Sequence, residues 1–346
     1  MAMKVYTIKQ AGEWDAVVRT FKDYDVYWLS GYVKAFQIHG DGEPLLFYYV
    51  DKDVRGINVV FKRDVAKDNH FKGIIRENEY FDFSTPYGYG GWIIEGNNKD
   101  ILFSTYEKWC TENKIISEFV RFHPVVGNHV FSENYYDITP LGFTIAMDLS
   151  SPEVVWENII SKNRNMIRKA EKSGVKIFSG RSEELYKAFI DIYNSTMKHD
   201  NAEEYYYFKP EFYNSICYDL AENAQVFYAV KDDEIIAVSI MIAANGRMNY
   251  HLSGSKTEYR NLAPSNLLLY KAALWGCANG CKSFFLGGGV GSSEDNLFKF
   301  KKSFYRKNDL YRFYVGKKIY IQEKYDELIA MRGSIDSAYF PKYRAK

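Results

Sequence analysis

A lysine set among aromatic rings just after a run of glycines is the pattern in this sequence best suited to chemistry on a carbonyl. Asp295 to Phe304 reads DNLFKFKKSF, so Lys299, Lys301 and Lys302 interleave with Phe298, Phe300 and Phe304, and Gly287, Gly288 and Gly289 lie just upstream. A lysine held against apolar walls can stabilise a developing oxyanion electrostatically; the alternative is a solvated lysine edge on a core element. In KNRNMIRKAEKSG, Arg164 and Arg168 stand four residues apart. They share a helical face and, with Asn165, can grip a phosphate or carboxylate, although cations near a helix C-terminus also meet its dipole favourably.

Two further stretches offer binding chemistry. In DFSTPYGYGGW, Tyr87 and Tyr89 can stack on a sugar or donate hydrogen bonds, and Gly88, Gly90 and Gly91 let backbone approach a ligand. A glycine-relaxed turn with packed rings is the alternative. In RFHPVVGNH, Arg121 and His123 sit at a strand end, where they can bind an anion, move a proton or cap a turn. His129 follows, but no neighbouring carboxylate completes a metal-ligand pattern. No Ser/His/Asp order, GxSxG elbow, P-loop or GxGxxG is present, which demotes covalent hydrolysis and nucleotide hydrolysis.

These residues need elements to position them. Around Tyr250 and Leu252 the alternation predicts a strand running through Ser253 and Gly254 into a polar loop. A helix follows, with Ser265 as its N-cap, Leu267, Leu268, Leu274 and Ala278 at helical spacing, and Gly280 as its stop. Ser283 to Leu286 then form a strand that empties into Gly287 and Gly288. Unpaired N–H groups at such a helix start suit an anion or carbonyl, so backbone at Ser253, Gly254, Ser265, Asn266 and Leu267, with Gly287 and Gly288, is expected to face a donor.

The plan is written twice. Leu45 to Phe61 and Gln225 to Ile242 each read as a β-hairpin, each preceded by helices and followed by strand, helix and strand. This predicts duplicated α/β domains: 1–149, 150–321, and a helix with tail over 322–346 that packs back on the first domain. One helix is expected from Pro152 to Gly174, and a strand pair turning at Gly316. With 45 basic against 44 acidic residues, bulk charge does not steer the chain to nucleic acid or membrane. Four cysteines without a CxxC pair read as reduced core thiols of a cytosolic protein. The N-terminus lacks a signal-peptide core, and the best apolar run, Ile235 to Ala244, is too short to span a bilayer.

RNMIRKAEKSGV, TPYGYGGW, RFHPVVGN, the Tyr250-to-Gly289 block and FKFKKSF together resemble the Fem family, aminoacyl-tRNA-dependent transferases that add bridge amino acids to peptidoglycan precursors, and related GNAT-type acyltransferases. The resemblance implies an α/β fold of two GNAT-like domains with mixed sheets and the acceptor held in a cleft between them. It matches Lys301 to the lysine of the family's FK-x-x-F segment, and loosely matches Trp28 and Lys34 to an acceptor-binding pair. Tyr87, Tyr89, Arg121, His123 and Tyr250 would then line the acceptor side. The sequence departs from the family at Thr196, which lacks the arginine of a Thr-x-x-Arg context, and it has no coiled-coil insertion. The implied activity is transfer of an acyl or aminoacyl group to an amine of a cell-envelope precursor, a peptidoglycan-type peptide or an amino sugar. The cosubstrate would be aminoacyl-tRNA or acyl-CoA, with no tightly bound cofactor and no metal, in the cytoplasm, with peripheral membrane contact left open. The rivals are an acyl-CoA-dependent N-acetyltransferase of envelope or capsule polysaccharide and a non-catalytic glycan- or peptide-binding module.

Overall fold

A computed structural model of the protein describes residues 2–333 and 337–345. By their contacts these fall into two units, Met1–Leu141 with Phe313–Lys346, and Gly142–Arg312. The bounds differ from those expected at 149/150 and 321/322.

The first unit begins with β1 (Ala2–Thr7), α1 (Ala11–Val18), α2 (Ser30–His39), β2 (Glu43–Val50) and β3 (Val54–Asp64). It continues with β4 (Phe81–Ser84), β5 (Ile93–Gly96), α3 (Lys99–Glu112) and β6 (Ile115–Arg121). β2 and β3 form the expected hairpin, whose turn is fixed by the Asp51 carboxylate accepting from the N–H groups of Asp53 and Val54 at 2.8 and 2.9 Å. β4 runs parallel to β6, with α3 connecting β5 to β6 between them in sequence.

β7 (Asp137–Asp148) leads into the second unit, followed by α4 (Pro152–Asn158), α5 (Ser161–Lys172), β8 (Lys176–Gly180), α6 (Glu183–His199) and α7 (Pro210–Asp219). Then come β9 (Ala224–Lys231), β10 (Glu234–Ala244), β11 (Arg247–Ser255), α8 (Pro264–Ala278), β12 (Ser283–Gly287) and α9 (Asn296–Lys302). The strands lie in the order β7, β12, β11, β10, β9, β8. The β9–β10 hairpin turns at Asp232 and Asp233, both at positive φ (49° and 63°), the conformation of a two-residue type I′ turn. Leu267, Leu268 and Ala272 of α8 share a core with Ile167 and Ala170 of α5 and with Phe298 and Phe304 around α9. Full burial of each such leucine or phenylalanine stabilises by about 1.5–3 kcal/mol, so this core fixes the elements that carry the candidate site.

The chain returns to the first unit through β13 (Tyr311–Ile319) and α10 (Gln322–Arg332). β13 pairs with β6 from Val315 to Ile319. It is one strand, not a pair turning at Gly316. A Cβ at Gly316 would stand 2.8 Å from the Phe122 ring, so glycine serves there for close packing. The expected helix over Pro152–Gly174 is likewise two helices, because Ile159 and Ile160 between them take extended conformations.

The last residues lock onto β4. Arg344 Nε and the Tyr343 hydroxyl donate to Asp82 Oδ2 at 2.5 and 2.9 Å, and Arg63 Nε donates to Oδ1 at 2.7 Å. Burial pushes the Asp82 carboxyl up, but the Arg344 and Arg63 charges outweigh it and hold the group below its usual range. Nearby, the fully buried Glu118 carboxylate accepts from the Asn58 amide and from the hydroxyls of Tyr106, Tyr136 and Tyr320 at 2.6–3.1 Å.

Candidate functional site

Lys301 is the centre of the second unit's candidate site. α9 begins at Asp295, whose carboxylate caps it by accepting from Phe298 N at 2.8 Å and also ties down Val290 N at 3.2 Å. These bonds, the one from Phe298 foremost, hold the Asp295 carboxyl below its usual range. The glycine segment is thereby fastened to the helix that carries Lys301. Only 9% of Lys301 is exposed, and its Nζ donates to Gly288 O at 2.7 Å and lies 5.9 Å from the Tyr250 ring centre. Burial pushes its pKa down to about 8, against the pull of Asp295. A cation so placed is mostly protonated at neutral pH and only thinly hydrated, which makes it effective toward negative charge that forms beside it.

β11 supplies the facing groups. It pairs with β12 only from Arg247–Ser283 to Asn249–Phe285, and beyond that the parallel ladder stops. On its other side Met241 pairs with Tyr250 and Ile240 with Leu252, so His251 is the extra residue of a β-bulge. Burial pushes His251 down to about 3, which leaves a neutral imidazole. The Tyr250 hydroxyl lies 2.5 Å from Ser253 Oγ. Burial raises the Tyr250 pKa while the Ser253 bond opposes it, so the phenol keeps its proton.

The arginines gather at a second cluster on the same unit. Arg164 and Arg168 do share a face of α5, and their guanidinium carbons lie 5.9 and 5.2 Å from the ring centre of Trp156 on α4; Arg168 Nη1 also donates to Asn165 Oδ1 at 3.4 Å. α8 connects to this helix through Asn266 Nδ2, which donates to Asn163 Oδ1 at 2.8 Å. Ser265 is not the N-cap of α8. Ala263 holds that place at φ 56°, Pro264 is the first helical residue, and no side chain caps the end. The Leu267 side chain is in the core. Gly254 packs against a helix: a Cβ there would stand 2.9 Å from Ile192 O and from Tyr193 Cα of α6. Gly287 takes a positive φ of 78° while pairing with Ile145 of β7.

The first unit's loop residues form an aromatic cluster. Phe36 stacks on Tyr87 with ring centres 5.3 Å apart, and Tyr32 OH donates to Tyr87 O at 2.6 Å; Lys34 lies on the same helix, partly buried. Tyr89 meets Tyr27 and Phe313 edge-on at 5.5 and 5.6 Å. Arg121 Nε donates to Gly88 O at 2.8 Å, with its guanidinium 4.9 Å from the Phe313 ring centre. A Cβ at Gly88 would stand 2.7 Å from the Tyr27 ring, so its hydrogen makes room for the protein's own side chain. His123 is fully enclosed, Nε2 lying 3.1 Å from Asp25 Oδ2 and Nδ1 accepting from Val126 N at 3.2 Å. Trp28 is also fully buried and donates to Gly91 O at 3.1 Å. In this conformation His123 and Trp28 secure the loop, while Tyr87, Tyr89, Arg121 and Lys34 keep part of their surface outside the core.

Sequence reasoning missed Asp25, Asp295, Trp156 and His251. Asp295 alone had a local signal, an aspartate at the start of a short aromatic helix. The others depend on long-range pairing or a bulge.

This arrangement defines a class of fold. Residues 160–302 match the family model described as Acetyltransferase (GNAT) domain, and they lie within a mixed α/β architecture. Over nearly its full length the chain is similar to the crystal structure of FemX, with a TM-score of 0.69, 14% identity, and coverage of 94% of this chain and 99% of that one. It is also similar to a conserved protein of unknown function from Bacteroides thetaiotaomicron (TM-score 0.59, 12% identity, 92% and 99% covered). A third likeness is to the C-terminal domain of a putative lysylphosphatidylglycerol synthetase from Agrobacterium fabrum (TM-score 0.55, 13% identity, 96% and 98% covered). No curated protein sequence matches the chain.

Proposed function

We propose that this protein is an acyltransferase that moves an aminoacyl group from aminoacyl-tRNA onto an amine of a cell-envelope precursor, a peptidoglycan-type peptide or an amino sugar. The observation that carries the reading is Lys301, a buried ammonium fixed to Gly288 O beside the point where β11 and β12 part. The acceptor amine attacks the ester carbonyl directly, its lone pair forming the C–N bond while the carbonyl π pair moves to the oxygen, and Lys301 meets the negative charge. Collapse of the tetrahedral adduct forms the amide and breaks the ester C–O bond, while the proton shed by the new ammonium passes through water or a substrate phosphate to the departing ribose oxygen, which leaves as the hydroxyl. No covalent enzyme intermediate is needed, and alignment with exclusion of water supplies the remaining acceleration. Arg164, Asn165 and Arg168 would hold substrate phosphates, and Lys34, Tyr87, Tyr89 and Arg121 the acceptor. Ser253, Ser265 and Asn266 lie on the donor side.

Likeness to FemX supports the envelope acceptor. The start of α8 favours an ester donor over acyl-CoA. Pro264 removes an N–H from the helix terminus and Ala263 occupies the left-handed position, which weakens a backbone cradle for pyrophosphate. The test is to incubate the purified protein with amine-bearing envelope precursors and either charged tRNA or acetyl-CoA, and to follow the precursors by intact mass. An aminoacyl mass gain with charged tRNA is expected. An acetyl gain alone would establish the acyl-CoA-dependent N-acetyltransferase, and saturable precursor binding with no transfer from either donor would establish a binding module.

A further inference from the structure

We infer that the second unit carries a docking surface for an anionic phospholipid bilayer, formed by the start of α5 and the segment around α9. The whole chain is nearly neutral, yet α5 holds five basic residues against one acidic, and 296–307 holds five basic and no acidic residue. These two segments are adjacent in space. Ile160 N donates to Ser303 O at 3.0 Å, and Arg306 N donates to Asn158 O at 2.7 Å. Lys162, Lys299, Arg306 and Lys307 are exposed there, while Lys301 is turned inward.

Charge alone would suit any polyanion; the apolar residues favour lipid. Among the described residues of Gly142–Arg312, the exposed large aliphatic side chains are Ile160 (36% exposed), Val290 (71%) and Leu297 (39%). All three belong to this region: Ile160 precedes α5, Leu297 is on α9, and Val290 is tied to the Asp295 cap. Lysines and an arginine interleaved with protruding aliphatic groups match the headgroup and acyl layers of a bilayer interface. An RNA surface would instead present open aromatic faces for base stacking. Trp156, the nearby candidate, already meets Arg164, Arg168 and Tyr270.

The test is co-sedimentation of the full chain with vesicles of phosphatidylglycerol mixed into phosphatidylcholine, against phosphatidylcholine alone, at low and high salt. We expect binding only to the anionic vesicles, weakening with salt. The combined K299E, R306E and K307E variant should bind about a hundredfold more weakly, and V290S with L297S several-fold more weakly, each with an unchanged circular dichroism spectrum. The proposal is overturned by equal binding to both vesicle types, by no binding to either, or by anionic binding that the charge-reversed variant retains. It is also overturned if tRNA carrying no amino acid competes fully and the V290S/L297S pair has no effect, since the surface would then belong to RNA. Acyl transfer is not read in this experiment, so its outcome is independent of the proposed reaction.

Discussion

The two units run parallel strand pairs of the same kind, β4 with β6 and β11 with β12, and treat the ends of those pairs in opposite ways. In the first unit the chain fills the space after the pair. Thr85 N donates to Phe119 O at 3.1 Å, Arg121 N donates to Thr85 Oγ1 at 3.2 Å, and Gly90 N donates to Arg121 O at 2.8 Å. Asn128 completes the plug: its amide donates to Gly90 O and Trp92 O, and its carbonyl accepts from His123 N. In the second unit the ladder ends at Asn249–Phe285, and the neighbouring groups are a buried ammonium, a phenol and a serine hydroxyl. One copy of the plan closes its strand ends with a braced loop and leaves only the outer side chains for binding, and the other leaves the groups suited to the reaction there. A duplicated fold thus need not mean a duplicated site.

Substitutions can break or sharpen this contrast. The largest effect is expected from Lys301→Ala, which should lower turnover by about tenfold to a thousandfold, the scale of losing an oxyanion donor, with the thermal transition preserved. Full activity in steady-state assays would remove Lys301 from the reaction. Asn128→Ala in the plug should do the reverse, costing about 3 kcal/mol in denaturant unfolding because it strands three buried partners, with turnover per folded molecule little changed. A stable Asn128→Ala protein that lost turnover at saturating acceptor, and did not merely show a raised acceptor KM, would show that the first unit's loop takes part in the chemical step too. Gly254→Ala should cost about 1–3 kcal/mol by pushing α6 off β11, a close approach that backbone atoms cannot relieve cheaply. If stability were unchanged and only the donor KM rose, Gly254 would face ligand rather than helix. The smallest effect is in pH: Lys301 loses its proton as pH rises through about 8. The kcat/KM profile should therefore fall on the alkaline side there, and Lys301→Arg should move that limb upward.

What the sequence could reveal followed how local each feature is. Both hairpins and the helices from Lys99 to Glu112 and from Glu183 to His199 follow from short-range periodicity and turn residues, whereas the segment carrying Lys301 is too short for its spacing to separate strand from helix. The break at Ile159–Ile160 was hidden because an unbroken apolar spacing continues through it. Gly316 looked like a turn because sequence cannot distinguish a glycine that bends the chain from one that admits a neighbouring ring. Arg164 with Arg168 could be paired by spacing alone, whereas the Asp25–His123 pair joins residues far apart in the chain. The same limit hid the bulge at His251, which exists only in the register of β10 against β11.

The bond from Arg344 to Asp82 gives the molecule an order of assembly. Residues 142–312 are contiguous and can collapse as soon as they have been made, whereas the first unit needs β13 beside β6 and Arg344 against a carboxylate some 260 positions earlier. Until that later segment is made, Asp82 has Arg63 as its cation but lacks Arg344, and β6 lacks its β13 neighbour. The contiguous unit that holds Lys301 would therefore be able to mature ahead of the discontinuous one.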